Sequence, residues 1–434
     1  MIATLDESAD VLNVTRGIMQ TGAGVIRFQH LPMVAALASP AEISAMRSVS
    51  GVSGVYANKK IVYLLRESRA QIQADQVHAS GITGKGVGVA ILDSGIDGLN
   101  PTLTYPTKTV ANVKVAFSVK DLVTFGDDPT LPKLAGQLVA ENLPNSETGL
   151  MGHGTHVAGI VGGDSTSVQN GIYKGIAPGA KLIGIATGEG PTVLYALAGF
   201  DWLLEHREQY NIRVVNNSWG TTGDYVAGDP INVASKKAHD AGVAVVFASG
   251  NCGVGGDTDC PPAGENQLNP YSVAPWVIGV AAGCKYSVPD PTNSVGSTCL
   301  DAAGRTVLAS FSSRGLPGSE LYHPTLTAPG VRIVSTRAST GLTLNALDAN
   351  SDVRLCNSSI ANLQYYTCAS GTSMAAPHIA GVVALMIEAS KGTLTPDNAK
   401  AALVKTVTKL PGYATFEVGA GYVNALAAVK AVKK

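Results

Sequence analysis

No cysteine precedes residue 252 in this 434-residue chain, and the whole chain holds only six. Charge is scarce as well: charged residues make up 15% of the chain and nearly cancel, leaving a formal net charge of −1. With no basic stripe and no long run of one sign, neither nucleic acid nor an anionic membrane surface is expected as a partner. Aromatics, at 6%, are too few for an aromatic-rich binding surface. No uninterrupted apolar run reaches the roughly 18 to 20 residues of a membrane span; the longest are broken by Gly, Asn, Pro or His, so a membrane partner is not expected either. The opening Met1-Ile2-Ala3-Thr4-Leu5-Asp6 has neither a basic n-region nor an apolar h-region, and no secretory leader is visible in it.

What the chain does have is 45% hydrophobic residues and 49 glycines, the composition of a loop-rich α/β enzyme long enough for one large domain and a small one. The six cysteines match no zinc template. Neighbours along the chain would close three short loops, Cys252 with Cys260, Cys284 with Cys299, and Cys356 with Cys368, each worth about 2.5 to 3 kcal/mol on a loop-entropy model. This is the simplest of many connectivities, and free buried cysteines are the alternative. Paired cysteines imply an oxidising, extracellular setting.

Residues 1–66 read as a small α+β domain. Strands are expected at Ile2–Leu5, in an extended pair over Val25–Ala38, at Gly54–Tyr56 and at Ile61–Leu65, with helices at Glu7–Met19 and Pro40–Val49. The second helix start is well marked, with Ser39 as N-cap, Pro40 at the first helical position and Glu42 completing a capping box. Arg66–Val77 is polar and reads as a linker.

Residues 67–434 read as the second domain, and from Gly84 its pattern changes to fully apolar strands separated by helices. Strands are expected at Val87–Leu92, Val113–Phe117, Lys181–Ala186, Ile212–Asn216, Val243–Ala248 and Trp276–Ala281, and helices at about 153 to 161, 192 to 208 and 230 to 241. This predicts an α/β fold, a mostly parallel central sheet covered by helices on both faces. Gly84-Lys85-Gly86-Val87-Gly88 precedes its strand instead of opening a helix after it, which excludes a dinucleotide fingerprint.

The chemistry gathers in three places. Asp93 follows an apolar strand, where working residues of such sheets sit. His153 opens the helix of His153-Gly154-Thr155-His156-Val157-Ala158-Gly159, a string without the Glu and the spacing of a zinc-protease helix. Ser373 lies on the first turn of a buried helix, in Gly371-Thr372-Ser373-Met374-Ala375-Ala376-Pro377-His378, where unpaired N–H groups favour negative charge. A serine nucleophile needs a base, and the base needs an orienting carboxylate; these residues supply all three.

With Asn216-Asn217-Ser218-Trp219-Gly220, Ala248-Ser249-Gly250-Asn251, Phe311-Ser312-Ser313 and Ala328-Pro329-Gly330, these strings resemble the subtilisin-like serine proteases, the subtilases, in residue and in order. The resemblance covers about residues 75 to 434. It implies a serine endopeptidase of broad, mostly apolar preference, with Ser373 as nucleophile, His153 as base and then acid, and Asp93 holding the imidazole. Asn251 matches the family's oxyanion amide, and Ser218, Trp219 and Gly220 match the strand that pairs with an extended substrate; the Trp219 ring is expected to line a subsite. His156 and His378 read as buried, hydrogen-bonded histidines.

The resemblance further implies a secreted monomer acting on protein or peptide substrates, without a catalytic cofactor. Residues 1–66 would be an inhibitory propeptide, an intramolecular partner whose last strand enters the cleft, with cleavage between about Leu65 and Gln73. Metal binding stays open. The family commonly has an Asp calcium ligand where this chain has Thr102, a weak neutral donor, so that site looks altered. Insertions at about 104 to 150 and 341 to 367 are expected near the cleft rims. A lipase or esterase lacks its Gly-x-Ser-x-Gly elbow here, and a non-catalytic scaffold would have to block a full set of chemical residues.

Overall fold

The protein was analysed as a computed structural model, which describes residues 1–6, 8–28, 30–57, 62–63, 69–116, 138–147, 151–166, 173–187, 192–262, 264–284, 307–340 and 364–434. The first unit is an antiparallel sheet in the order β2-β3-β1-β4, made of Ile2–Leu5 (β1), Gly24–Arg27 (β2), Met33–Leu37 (β3) and Val52–Tyr56 (β4). Helices Val11–Gln20 (α1) and Pro40–Met46 (α2) accompany it. Helix α1 starts later than expected because the Asp10 carboxylate caps it, accepting from the N–H groups of Leu12 and Asn13. Such a cap removes otherwise orphaned donors and sets the start. At α2 the Ser39–Glu42 capping box forms as the sequence predicts, with Pro40 opening the helix.

Residues 62–63 form a two-residue strand, Val62–Tyr63 (β5). The stretch read as a linker is not one throughout. Ile72, Ala74 and Val77 are fully buried in the core of the larger unit, the last two on helix Ala74–Ala79 (α3). Their apolar side chains are spaced among polar ones, and composition averaged over the stretch hid them.

The larger unit is built on an eight-stranded sheet formed by Gly88–Asp93 (β6), Thr109–Ala116 (β7), Leu138–Ala140 (β8), Lys181–Ala186 (β9), Ile212–Asn217 (β10), Ala244–Ala248 (β12), Ile278–Gly283 (β13) and Leu326–Pro329 (β14). Its order is β14-β13-β12-β10-β6-β9-β7-β8, parallel except for the β7–β8 pair. Between β10 and β12 in sequence lies the short Trp219–Gly220 (β11).

Successive residues of β6 belong to different apolar cores. Val89 and Ile91 pack with helices His153–Gly162 (α4) and Thr372–Ala389 (α7). Ala90 and Leu92 pack on the opposite face with Val193–His206 (α5) and Pro230–Asp240 (α6). Both faces are covered, as fully apolar parallel strands require. Helix α7 is long and apolar enough by length and composition to cross a membrane, but 94% of that stretch is buried inside the protein. It is apolar all round because it is a core helix. The first unit joins the second of these cores: Ile2, Ile18 and Met33 share its cluster with Val193 and Ile231. Polar contact adds to the junction, since the His30 N–H donates to the Asp201 carboxylate at 2.6 Å.

Strands β8 and β14, together with the separate antiparallel pair Ile333–Thr336 (β15) and Tyr366–Ala369 (β16), were not anticipated. Each is three or four residues long, below the length at which apolar alternation is readable. Most of both insertions, including Gly126-Asp127-Asp128-Pro129, lies outside the described residues.

Candidate active site

Strand β6 ends at Asp93, whose side chain is fully buried at the carboxyl edge of the sheet. Its Oδ1 lies 2.6 Å from Nδ1 of His153 and also accepts the Ser94 N–H at 2.8 Å. A carboxylate there fixes the imidazole tautomer and leaves Nε2 as the basic nitrogen. His153 is the first residue of α4, and the turn after β6 is pressed against that helix. A Cβ at Gly154 would stand 2.2 Å from the Gly95 carbonyl oxygen and 3.1 Å from the Asp93 Cβ. Only glycine after His153 lets the two segments approach closely enough for the Asp93–His153 contact.

Ser373 is the second residue of α7, held in a reciprocal arrangement with Ser218. The Ser373 hydroxyl donates to the Ser218 carbonyl at 2.8 Å, and the Ser218 hydroxyl donates to the Ser373 carbonyl at 2.7 Å. Asn216 supports the pair through Nδ2, 2.9 Å from the Ser218 Oγ. Asn251, just beyond β12, is tied down by its oxygen: Oδ1 accepts both the N–H and the hydroxyl of Thr372, each at 2.8 Å. Its Nδ2 is buried without a partner among the described residues. A buried donor left unpaired costs about 1 to 3 kcal/mol. Here Asn251 lines a cavity of about 330 Å³ together with Ser373, Thr372 and Gly220, so a ligand oxygen entering that cavity can take up the amide.

Strand β11 forms an edge of this cavity and is already paired. Tyr63 lies opposite Trp219 and Val62 opposite Gly220, in antiparallel register. The expectation for the Trp219 ring is corrected. The residue is 1% exposed, its indole stacks edge-on against Phe247 and Tyr271 at 5.0 and 6.1 Å, and Nε1 donates to the Leu92 carbonyl at 2.7 Å. It is a core aromatic; what it offers the cleft is strand backbone.

Glu147 is a residue that sequence reasoning passed over. It is buried beside Asp93 and accepts from the Ser94 hydroxyl, from the Thr155 N–H at 2.9 Å and from the Thr155 hydroxyl at 2.5 Å. Ser94 in turn accepts the Gly154 N–H at 2.7 Å. Glu147 therefore couples the turn after β6 to the first turn of the histidine helix. Burial pushes its carboxyl up to about 7 against the lowering effect of those hydrogen bonds, and the Asp93 charge pushes the same way as burial. No spacing rule marks it; the one available signal is a lone acid six residues before His153.

His156 and His378 are buried and bonded to the backbone carbonyls of Ile333 and Met374. Cys252 and Cys260 form a disulfide. Cys284 is buried, and its expected partner Cys299 lies outside the described residues. Cys368 is disulfide-bonded, while Cys356 lies outside them. Among the described residues, Thr102 is engaged by a neighbouring side chain and brings no carboxylate of the kind a calcium ion prefers; residues 167–172 lie outside them. The Asn100 Oδ1 accepts both the N–H and the hydroxyl of Thr102, and the Asn100 amide donates to the carbonyls of Arg337 and Tyr365.

Comparison with known proteins gives a concordant result. The subtilase family model matches residues 84–422. Serine protease AprX of Bacillus subtilis is 31% identical over 413 residues, covering 92% of this chain and 79% of that protein. The minor extracellular protease Epr, also of Bacillus subtilis, is 31% identical over 321 residues, covering 73% of this chain and 34% of Epr. Among solved structures, fervidolysin from Fervidobacterium pennivorans, described as a keratinolytic enzyme related to subtilisin, matches with a TM-score of 0.69 at 22% identity. That match covers 99% of this chain and 60% of the fervidolysin chain, and at this identity it bears on the fold alone.

Proposed function

The chain belongs to the subtilase family and is a serine endopeptidase acting on protein or peptide substrates, and from that premise we propose that it is a secreted proenzyme that cuts itself. Ser373 attacks the scissile carbonyl while Nε2 of His153 takes its proton, and Asp93 holds the imidazole and stabilises its cation. The oxyanion is received by Nδ2 of Asn251 and the Ser373 N–H. His153 then gives the proton to the leaving amine, and water, activated by the same imidazole, hydrolyses the acyl-enzyme. The 2.6 Å Asp93–His153 contact and the unpartnered Asn251 amide support these roles.

The observation that carries the proenzyme reading is the pairing of Val62–Tyr63 with Trp219–Gly220. The end of the first unit lies extended along the strand that follows Ser218, whose carbonyl meets the Ser373 hydroxyl. That is strand addition at an exposed edge, the way proteases hold a peptide. Residues 1–66 would thus be a propeptide inhibiting residues 67–434. The cut falls between about Leu65 and Gln73, and burial of Ile72 in the larger unit favours the N-terminal part of that range. A disulfide at Cys252–Cys260 supports export.

Intact-mass spectrometry of wild type and Ser373→Ala, each with and without a fluorophosphonate, tests the proposal. Wild type is expected to lose about its first 65 to 72 residues and to take one probe at Ser373. The alanine variant should stay full length and unlabelled. Wild type that stays full length by itself, and that still takes no probe after another protease has removed the first unit, would overturn the assignment of Ser373.

A further inference from the structure

The cavity beside Ser373 contains two carboxylates that the mechanism above does not use. Asp257 and Asp259 line it with Trp219, Gly220, Asn251 and Gln267. Both acids ride on the loop closed by the Cys252–Cys260 disulfide. That loop folds back on Asn251: the Asp257 N–H donates to the Asn251 carbonyl at 2.9 Å, and the Gly256 N–H to the Gly253 carbonyl at 3.1 Å. A Cβ at Gly256 would stand 1.8 Å from the Asn251 oxygen, so the turn that delivers Asp257 requires glycine.

Among the described residues no Lys, Arg or His pairs with either carboxylate. Asp257 is half-buried, and its carboxyl is raised by that burial and by the charge of Asp259. Two acids facing one cavity repel each other, and a cation between them removes both costs. The same cavity meets the buried, unpartnered Nδ2 of Asn251. Its lining therefore calls for a ligand with a carbonyl oxygen at one end and a positive charge at the other.

We propose that this cavity receives the side chain on the amino side of the cut bond and selects arginine or lysine there, in place of the apolar preference that family resemblance alone implies. The inference rests on the reading of Ser373 as nucleophile. With the carbonyl at Asn251 and the chain extended along β11, the preceding side chain enters between β11 and the loop from Cys252 to Cys260. The cavity, at the small end of the range for ligand pockets, has room for one such side chain.

The test uses the full chain as expressed, with active serines counted by fluorophosphonate, and peptides identical except for Arg, Lys, Leu or Glu before the bond. Wild type is expected to favour Arg and Lys over Leu in kcat/KM by roughly ten- to a hundredfold, the scale of a hydrogen-bonded charge pair. In Asp257→Asn/Asp259→Asn the Arg-to-Leu ratio should collapse toward one, each variant serving as its own reference. Asp257→Lys should bring Glu above Arg. An enzyme that labels at Ser373 but cuts Leu as well as Arg, or whose ratio survives the double substitution, overturns the pocket proposal alone. No labelling and no turnover of any peptide overturns the nucleophile assignment, and this proposal with it.

Discussion

Replacing Glu147 by Gln in a Ser373→Ala background, where unfolding cannot feed proteolysis, should change how stability depends on pH. The carboxyl is pushed from 4.5 up to about 7 in the folded state. Below about pH 4.5 folded and unfolded forms are both protonated, and the wild type keeps the full advantage of a proton held more tightly when folded. As pH rises from there the unfolded chain ionises while the folded one resists, so stability from this group falls until the folded carboxyl has itself ionised. The difference of about two and a half pH units is worth about 3 kcal/mol. Gln fits the same place: its oxygen can accept from the Thr155 N–H, and its amide can donate to the Ser94 oxygen. The variant carries no such pH dependence, so its stability relative to the parent should climb by about 3 kcal/mol between about pH 4.5 and 7. Urea unfolding at half-unit pH steps measures this. A difference profile that is flat across the window, or that slopes downward, would refute the claim that burial dominates at Glu147.

Two further outcomes follow from the site. Asn251→Ala should lower kcat by roughly 10²- to 10³-fold with little change in KM, the scale found for the oxyanion amide of subtilisin; steady-state kinetics on a peptide decides it, and a variant within a fewfold of wild type removes Asn251 from that role. Trp219→Phe leaves the Leu92 carbonyl without its indole donor and should cost about 1 to 3 kcal/mol in denaturant unfolding, while the Arg-to-Leu ratio stays put. A shifted ratio with unchanged stability would restore the ring to the cleft wall.

The parts of this protein legible in its sequence are those where local chemistry and chain direction coincide. Apolar strands ending at Asp93 and Ala248 announce a parallel sheet and its working edge, and Ser39, Pro40 and Glu42 announce a helix start within four residues. What stayed hidden depends on distance in the folded chain. Ile72 and Val77 look like polar linker until strand β14 packs on the turn that holds Ile72 and the C-terminal helix Ala425–Val432 packs on α3. Trp219 follows Ser218, which the family resemblance implies pairs with substrate, but strand alternation turns its ring into the core. Glu147 and the pair Asp257 and Asp259 sit in loops of no recognisable period. Their significance comes from what folds against them, namely Ser94 and Thr155 in one case and the Asn251 backbone carbonyl in the other.

Strand β11 is two residues long, and Val62–Tyr63 occupies the edge along which a substrate would extend. Occupancy of that edge is a matter of concentration. While joined to the chain, the tail meets β11 as an intramolecular partner, at an effective concentration on the order of a millimolar, so a substrate of equal affinity would have to exceed that level to displace it. Once the chain is cut, the same contacts operate at whatever concentration of first unit the surroundings hold. On the proenzyme reading proposed above, dilution after release would be the act that turns the enzyme on, and crowding it back among its own first units the act that turns it off.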